Sequence, residues 1–147
     1  MNTEYDKIFL NVAKEISQQS NDWRTKVGAV FVKDNCIISA GCNHTPNKMK
    51  KNLLPTENGK KLIEQKNTFM IHAELDAVLN YKGSVSDFID STAYITLFPC
   101  MNCAKLLAQI GVKQIIYLDE YYNSEEMATS KYILDICNID YQKYEGE

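Results

Sequence analysis

Two short segments constrain the fold of this chain more than any other feature. One is His72-Ala73-Glu74, and the other is Pro99-Cys100-Met101-Asn102-Cys103. The first carries an imidazole and the second two thiols, which are side chains that bind zinc. Two cysteines three positions apart in a first helical turn lie on the same side of the helix, so both sulfurs reach one ion. A fold that uses all three donors must bring the two segments to one place.

The three donors predict an open zinc site rather than a closed one. His72, Cys100 and Cys103 supply three protein ligands, which leaves a fourth position for water, as in catalytic zinc sites. Glu74 follows the histidine by two residues and is expected to face the open position without binding the ion. Zinc lowers the pKa of water to about 7, and a carboxylate beside that water can accept a proton and pass it on. We therefore assign Glu74 as the catalytic residue.

Either segment alone has simpler explanations. A lone Cys-x-x-Cys pair also occurs in structural zinc sites and in redox-active sites. A structural site needs another ligand, but the only further histidine is His44, and the three remaining cysteines lie in predicted strands, the hairpin loop or the last helix. A redox pair leaves His72 and Glu74 without a role. Five cysteines with one close pair also argue against a disulfide framework. The catalytic zinc site is the interpretation that gives a role to both cysteines, to His72 and to Glu74.

Hydrophobic periodicity predicts alternating helices and strands. Helices are predicted at residues 4–19, 72–81, 100–110 and 124–137, and strands at 27–32, 36–40, 93–98, 114–118 and 139–144. Lys33-Asp34-Asn35 is predicted to form a hairpin turn, Pro99 to begin a helix and Gly111 to end it. The order predicts one domain, residues 1–147, folded as a three-layer α/β/α sandwich. Its five-stranded mixed sheet should be largely parallel in its second half.

Both zinc-binding segments then begin helices. The positive end of a helix lowers the pKa of a thiol and favours the thiolate that zinc needs. Between the hairpin and the first of these helices lies a polar segment, residues 42–68, which is predicted to lie outside the core. Its six lysines outnumber its two acidic residues, and long loops of this kind are often functional.

Composition excludes several classes of partner. The net charge is −3, whereas a protein that binds nucleic acid usually carries a basic excess. No run approaches the roughly 20 apolar residues that span a bilayer. The segment Met1 to Asp6 lacks the basic and then apolar pattern of a secretory signal. We expect a cytoplasmic protein with reduced thiols and with neither nucleic acid nor membrane as its partner.

The sequence resembles the cytidine and deoxycytidylate deaminase superfamily, and most of all its deoxycytidylate branch. The residues that carry the resemblance are 27–30 with 40–46, 72–79, 97–105 and, more weakly, 121–124. The segment 97–105 is the most specific, because its Cys103-Ala104-Lys105 ending is typical of the deoxycytidylate branch. The order His-x-Glu followed by Pro-Cys-x-x-Cys is the signature of zinc nucleobase deaminases.

The resemblance implies a cytidine deaminase-like fold and hydrolysis of the C4 amino group of dCMP, which yields dUMP and ammonia. Glu74 would carry protons to N3 and then to the leaving ammonia, and no organic cofactor is needed. The resemblance also implies a homo-oligomer, either a dimer or a hexamer.

The same resemblance implies a set of substrate contacts. Asn43 would touch the sugar, and the backbone of Ala73 the edge of the base. Phe98 and Tyr121 would form walls of the pocket. The 5′-phosphate would be held by Arg24, by Lys26 or by a basic residue of segment 42–68, and Arg24 is the first choice.

Three departures from the family pattern bear on these expectations. The loop Gly41-Cys42-Asn43-His44 replaces Gly-Tyr-Asn-Gly, which shapes the dCTP and dTTP effector site of regulated members, so this chain is not expected to keep that site in its usual form. Asp76 replaces an asparagine, which would alter sugar or phosphate preference or face a neighbouring subunit. Residues 43–71 contain no cysteine, so a single zinc ion per chain is expected rather than two.

Three other functions fit parts of the pattern. A tRNA adenosine deaminase or polynucleotide cytosine deaminase uses the same core chemistry, but the acidic net charge disfavours it. A deaminase of another small molecule, such as cytidine, dCTP, guanine or a pterin-like ring, differs by only a few polar contacts. A zinc-stabilised binding module would need no Glu74.

Overall fold

The fold is a five-stranded sheet between helices, seen in a computed structural model that describes residues 3–121 and 123–146. The strands are β1 (Gly28–Lys33), β2 (Cys36–Cys42), β3 (Thr92–Leu97), β4 (Gln114–Asp119) and β5 (Asp140–Lys143). The helices are α1 (Glu4–Ser17), α2 (Ala73–Asn80), α3 (Met101–Ile110) and α4 (Ser124–Ile136). The predicted order of helices and strands is therefore confirmed.

The sheet has the order β2-β1-β3-β4-β5. β1 is antiparallel to β2 and β3, whereas β3, β4 and β5 are parallel. Side chains alternate between the two faces of a strand. Accordingly, Val30 and Val32 pack with α1, while Ala29 and Phe31 share a core cluster with residues of α2, α3 and α4. These layers confirm the predicted three-layer sandwich with a mixed sheet.

Strand direction brings several loops to one edge of the sheet. Ala29 pairs with Ile95 in an antiparallel ladder, so the residues before β1 lie beyond the end of β3. Gly28 pairs with Cys42, so the residues after β2 lie there too. Since β4 is parallel to β3, its end reaches the same edge. We call this the site edge; its loops are residues 22–27, 43–46, 98–100 and 120–121.

Local turn signals behave as predicted. Asp34 and Asn35 adopt positive φ of 53° and 60°, which is the geometry of a two-residue hairpin turn that matches the strand twist. Gly111 ends α3 with a φ of 91°, where an L side chain would be strained. The prediction for Pro99 is wrong in position: Cys100 is the N-cap and α3 begins at Met101, so Pro99 precedes the helix rather than opening it.

The polar segment 42–68 is less separate from the core than predicted. It contains the short 3-10 helices Lys51–Leu53 and Leu62–Glu64, and a third, Lys66–Phe69, begins within it. Asn43, Thr45 and Lys66 are buried, because they form hydrogen bonds or ion pairs with the loop before β1. A single-residue bridge joins His44 to Ile71 and anchors the segment beside α2. No helix in the described parts of the chain is both long and apolar enough to cross a bilayer.

Gly41 determines how closely α2 approaches the sheet. A Cβ at this position would lie 2.4 Å from the Ala77 nitrogen and 2.7 Å from the Ala73 oxygen. The hydroxyl of Ser39 also donates a hydrogen bond to the Ala77 carbonyl. The backbone of α2 therefore rests directly on β2, and a side chain at residue 41 would push the helix away.

Gly41→Ala is expected to lower the free energy of unfolding by about 2–3 kcal/mol, because a backbone clash cannot be relieved by a rotamer change. Urea unfolding of the zinc-loaded protein measures the effect. Gly83→Ala is the matched control, since a Cβ there would meet only the far end of the Tyr81 side chain. Equal urea midpoints for the Gly41 variant and the unmodified protein would contradict the close approach.

Candidate metal centre

The three proposed zinc ligands lie at the starts of two helices on the site edge. His72 is the N-cap of α2, and Cys100 is the N-cap of α3. Cys103 lies one turn further along and is buried, with 4% of its surface exposed. The fold therefore brings together the two segments that the sequence singled out.

The donor atoms of these residues fit a zinc ion. Nδ1 of His72 lies 3.4 Å from Sγ of Cys100 and 3.4 Å from Sγ of Cys103. All three ligand atoms lie within 4.8 Å of one another. A tetrahedral zinc with bonds of about 2.3 Å to sulfur and 2.0 Å to nitrogen separates its ligand atoms by about 3.5–3.8 Å. His72 and Cys100 are partly exposed, so one side of the site faces outward.

The thiols of this site share a proton when no metal is bound. The hydrogen bond from Cys103, together with the His72 ring, lowers the pKa of Cys100 to about 4. The Cys103 backbone N–H also donates to this sulfur at 3.5 Å, as expected at a helix N-terminus. Donation to Cys100 and burial raise the pKa of Cys103. Cys100 is therefore already a thiolate at neutral pH, and binding of zinc would remove the remaining proton, that of Cys103.

Glu74 lies beside the donor set without belonging to it. It occupies the first turn of α2, and only 4% of its surface is exposed. Burial raises the pKa of its carboxyl, and the neighbouring His72 and Cys103 partly oppose that shift. The group of potential metal ligands comprises His72, Cys100 and Cys103. A carboxyl in this place can accept a proton and pass it on, as general acid–base catalysis requires.

Asn43 has a structural role that the sequence did not reveal. Its Oδ1 accepts the Val27 N–H at 2.8 Å, and its Nδ2 donates to the Thr25 carbonyl at 2.8 Å and to Asp22 at 3.3 Å. Both amide hydrogens are thus engaged within the protein. A contact with a sugar hydroxyl, which remains a prediction, has to use the second lone pair of Oδ1.

Ala73, Phe98 and Tyr121, the other predicted substrate contacts, are buried or half-buried. Ala73 is fully buried, with its carbonyl close to Gly41. Phe98 is 1% exposed and packs edge-on against Tyr117 with ring centroids 4.8 Å apart. Its ring lies in the core and offers no surface to a ligand. The half-buried Tyr121 donates a hydrogen bond to the carbonyl of Pro99 at 3.3 Å, so it supports the residue before Cys100.

Arg24 and Lys26 lie in the loop before β1, on the site edge. Both are exposed, and the backbone N–H of Arg24 donates to the Asp22 carboxylate at 2.7 Å. Of the segment 121–124 that carried part of the resemblance, Tyr122 lies outside the described residues.

His44 and Asp76, two of the departures from the family pattern, contact each other. Nε2 of His44 lies 2.6 Å from Oδ1 of Asp76, and its Nδ1 lies 2.6 Å from the carbonyl of Thr45. Both ring nitrogens face acceptors, which requires the protonated imidazolium. The other oxygen of Asp76 accepts the Cys42 N–H at 3.0 Å. The pair thus ties the end of β2 to α2. Each residue departs from the family pattern in the sequence, but no local pattern indicates that the two side chains meet.

The His44–Asp76 pair is expected to make stability depend on pH. Burial lowers the pKa of His44, but the hydrogen bonds to Asp76 and Thr45 outweigh it and raise the pKa above its ordinary value. Stabilisation by such a pair is complete below about pH 6.5, the unfolded value, and is lost as pH rises through the folded value. Asp76→Asn should lower the free energy of unfolding by about 1 kcal/mol at pH 6 and by less at pH 8.

Urea unfolding of the zinc-loaded protein at both pH values checks this prediction. Asp140→Asn changes an exposed carboxylate and serves as the control. An equal loss of stability at the two pH values would contradict a charged His44.

Comparisons with known proteins agree with this geometry. Residues 3–119 match the family described as the cytidine and deoxycytidylate deaminase zinc-binding region. The deoxycytidylate deaminases of Pongo abelii and Mus musculus are each 33% identical over 144 residues, covering 96% of this chain and 80% of theirs. The crystal structure of dCMP deaminase from the cyanophage S-TIM5 in complex with dCMP and dUMP has a TM-score of 0.78 and 29% identity, covering 98% of this chain and 99% of that one.

Fold, donor set and similarity therefore lead to one conclusion, and they confirm the resemblance on which the sequence analysis relied. The chain belongs to the cytidine and deoxycytidylate deaminase family, whose members bind zinc.

Proposed function

We propose that this chain is a zinc-dependent hydrolase that converts dCMP to dUMP and ammonia. The observation that carries the proposal is the convergence of His72, Cys100 and Cys103 beside the buried Glu74. The names of its relatives, which are deoxycytidylate deaminases of animals and phages, support the substrate. The solved relative that holds dCMP and dUMP supports it as well.

The residues of the site suit hydrolytic deamination. Zinc held by the three ligands supplies a Lewis acid that lowers the pKa of water to about 7. Glu74 accepts a proton from the attacking water and transfers it to N3 of the base. The oxygen of the water adds to C4, and a second proton passes through Glu74 to the amino group. The bond from C4 to nitrogen then breaks, so one water is consumed and one ammonia leaves.

The surroundings of Glu74 suit that proton transfer. Its carboxyl is buried, which raises its pKa, and bulk water does not compete for the proton it carries. Its place in the first turn of α2, fixed by the close approach at Gly41, positions it next to the donor set. The backbone of Ala73, between His72 and Glu74, is proposed to contact the edge of the base.

The proposed phosphate contact is Arg24. It lies on the site edge, is exposed, and belongs to a turn whose conformation is held by hydrogen bonds to Asp22 and Asn43. A guanidinium binds phosphate through two parallel hydrogen bonds, which are charge-assisted and short.

Arg24→Ala is expected to raise KM for dCMP at least about tenfold while kcat changes little, because the phosphate contact is made equally in the ground and transition states. Lys7→Ala, on the outward face of α1, is the control. Steady-state kinetics measure KM and kcat separately and check this prediction. An unchanged KM would show that Arg24 does not bind the phosphate, and Lys26 would become the next candidate.

A substrate comparison tests the proposed function. The zinc-loaded protein is assayed with dCMP, dCTP, cytidine and a tRNA anticodon stem, and kcat/KM is expected to be highest for dCMP. A higher value for dCTP or cytidine would show a deaminase of another free cytosine compound. Turnover of the tRNA alone would show a polynucleotide enzyme and overturn the proposal.

The assay should show no large response to dCTP or dTTP. The loop Gly41-Cys42-Asn43-His44 is held by Asp76, through the Cys42 N–H and the His44 ring, so contacts within the chain already order it. Activation by dCTP would show that this altered loop still binds an effector.

We also propose that the chain forms a homo-oligomer. Leu75 and Leu79, one turn apart on α2, are 37% and 65% exposed, and an apolar pair on an exposed helix face suits contact with a second copy. Sedimentation equilibrium is expected to give at least a dimer, and a monomer would contradict the proposal.

The reduced thiols that the metal site needs support a cytoplasmic location.

A further inference from the structure

Lys66 is buried although it lies in the lysine-rich polar segment 42–68. Its side chain is 4% exposed, and its ammonium lies 2.8 Å from the carboxylate of Asp22, whose side chain is 2% exposed. The same ammonium donates to Oδ1 of Asn67 at 2.8 Å and lies 5.6 Å from the centroid of the Trp23 ring. Lysine is rarely buried unless it is paired, so this residue neutralises a particular partner.

Asp22, the partner of Lys66, organises the loop before β1. Oδ1 of Asp22 accepts the backbone N–H groups of Arg24 at 2.7 Å and Thr25 at 2.9 Å. Its Oδ2 accepts hydrogen bonds from Lys66 and from Asn43, the latter at 3.3 Å. One carboxylate thus receives four donors and fixes the conformation of the turn that contains Arg24.

A short series of contacts connects this turn to the metal centre. Asn43 forms hydrogen bonds with Val27 and Thr25 of the turn. The next residue in the chain is His44. His44 forms two backbone hydrogen bonds with Ile71, of 3.0 and 2.7 Å, and Ile71 precedes the zinc ligand His72. A shift of the turn would therefore move Arg24 relative to the site, whereas α2 is held to β2 by the close approach at Gly41 and the hydrogen bond from Ser39.

We propose that Asp22 and Lys66 are a positioning pair that gives the enzyme its preference for ligands with a 5′-phosphate. The inference rests on the proposed function, because it takes Arg24 as the phosphate contact. Lys66 compensates the buried charge of Asp22. Without that compensation Asp22 is a buried charge that has lost its partner, which strongly disfavours the present conformation of the turn. Arg24 then loses its position, while the contacts to the base and to zinc remain.

A positioning role can be distinguished from a general structural role with two inhibitors that resemble the product and differ only in the 5′-phosphate. The inhibition constants of dUMP and deoxyuridine against dCMP turnover are measured for the zinc-loaded full chain. Lys66→Met, which removes the charge and keeps an unbranched side chain, should raise the constant for dUMP at least about tenfold and leave that for deoxyuridine nearly unchanged. Lys113→Met, an exposed lysine that lies before β4, should change neither constant.

A second variant covers the case in which Lys66→Met does not fold. Asp22→Asn combined with Lys66→Met removes both buried charges, which buried sites tolerate better than one. The amide of an asparagine at residue 22 cannot accept the hydrogen bond from Asn43 and still satisfy both backbone N–H groups. The double variant is therefore expected to show the same selective loss for dUMP.

The possible results are distinguishable. If the unmodified protein does not turn over dCMP, the proposed function fails and this inference fails with it. If the unmodified protein prefers dUMP over deoxyuridine and the Lys66 variants keep that preference, the inference alone is overturned. An equal weakening of both inhibitors would also overturn it, since it would show a general structural role.

Discussion

Glu74→Gln is expected to lower kcat for dCMP by about 10³- to 10⁴-fold while zinc remains bound. Glutamine keeps the size and the burial of the side chain but cannot accept or donate a proton as a carboxyl does. The three donor atoms lie on other residues, so the variant should bind zinc in the same ratio. Because Glu74 acts on the proton and not on the phosphate, KM should change far less than kcat.

Steady-state kinetics together with metal analysis measure this effect. Glu15→Gln, an exposed residue of α1, is the control and should keep full activity. Retained turnover in the Glu74 variant would show that another group transfers the proton. Loss of zinc would show instead that Glu74 is a ligand.

Cys103→Ser is expected to remove most of the bound zinc and at least about a thousandfold of the activity. A serine hydroxyl does not ionise near neutral pH and is a harder ligand than the thiolate that zinc prefers. The side chain is buried at the start of α3, so no exposed residue can easily replace it. The protein should also melt at a lower temperature, because zinc that binds only the folded state stabilises that state.

The control variant Cys36→Ser tests whether the loss of zinc and activity is specific to a cysteine of the metal centre. Cys36 is an exposed free cysteine at the start of β2, and its variant should keep zinc, activity and melting temperature. Chelation of zinc from the unmodified protein should reproduce the behaviour of the Cys103 variant. Full zinc content in Cys103→Ser would contradict the ligand assignment.

The parts of the fold that could be predicted depend on signals between near neighbours in sequence. Alternating side chains identify strands, and Gly111 ends α3 because few other residues adopt its φ. Part of the donor set was predictable for the same reason, since Cys100 and Cys103 lie within one helical turn. His72 lies 28 positions from Cys100, and it was identified by its chemistry, because an open zinc site demands a third ligand.

The features that the sequence did not reveal join distant residues. Lys66 is 44 positions from Asp22, and no local pattern separates it from the exposed lysines around it. His44 and Asp76 were noted singly, but a contact across 32 positions depends on the register of β2 against α2. Phe98 was expected at the pocket because the resemblance implies that role. In the structure its ring is buried and packs against Tyr117 on the neighbouring strand.

Formation of dUMP from dCMP by the purified, zinc-loaded chain tests the proposed function most directly. We expect one ammonia for each dUMP, loss of activity when a chelator removes zinc, and recovery when zinc is returned. A protein that carries one zinc per chain and still leaves dCMP unchanged would contradict it.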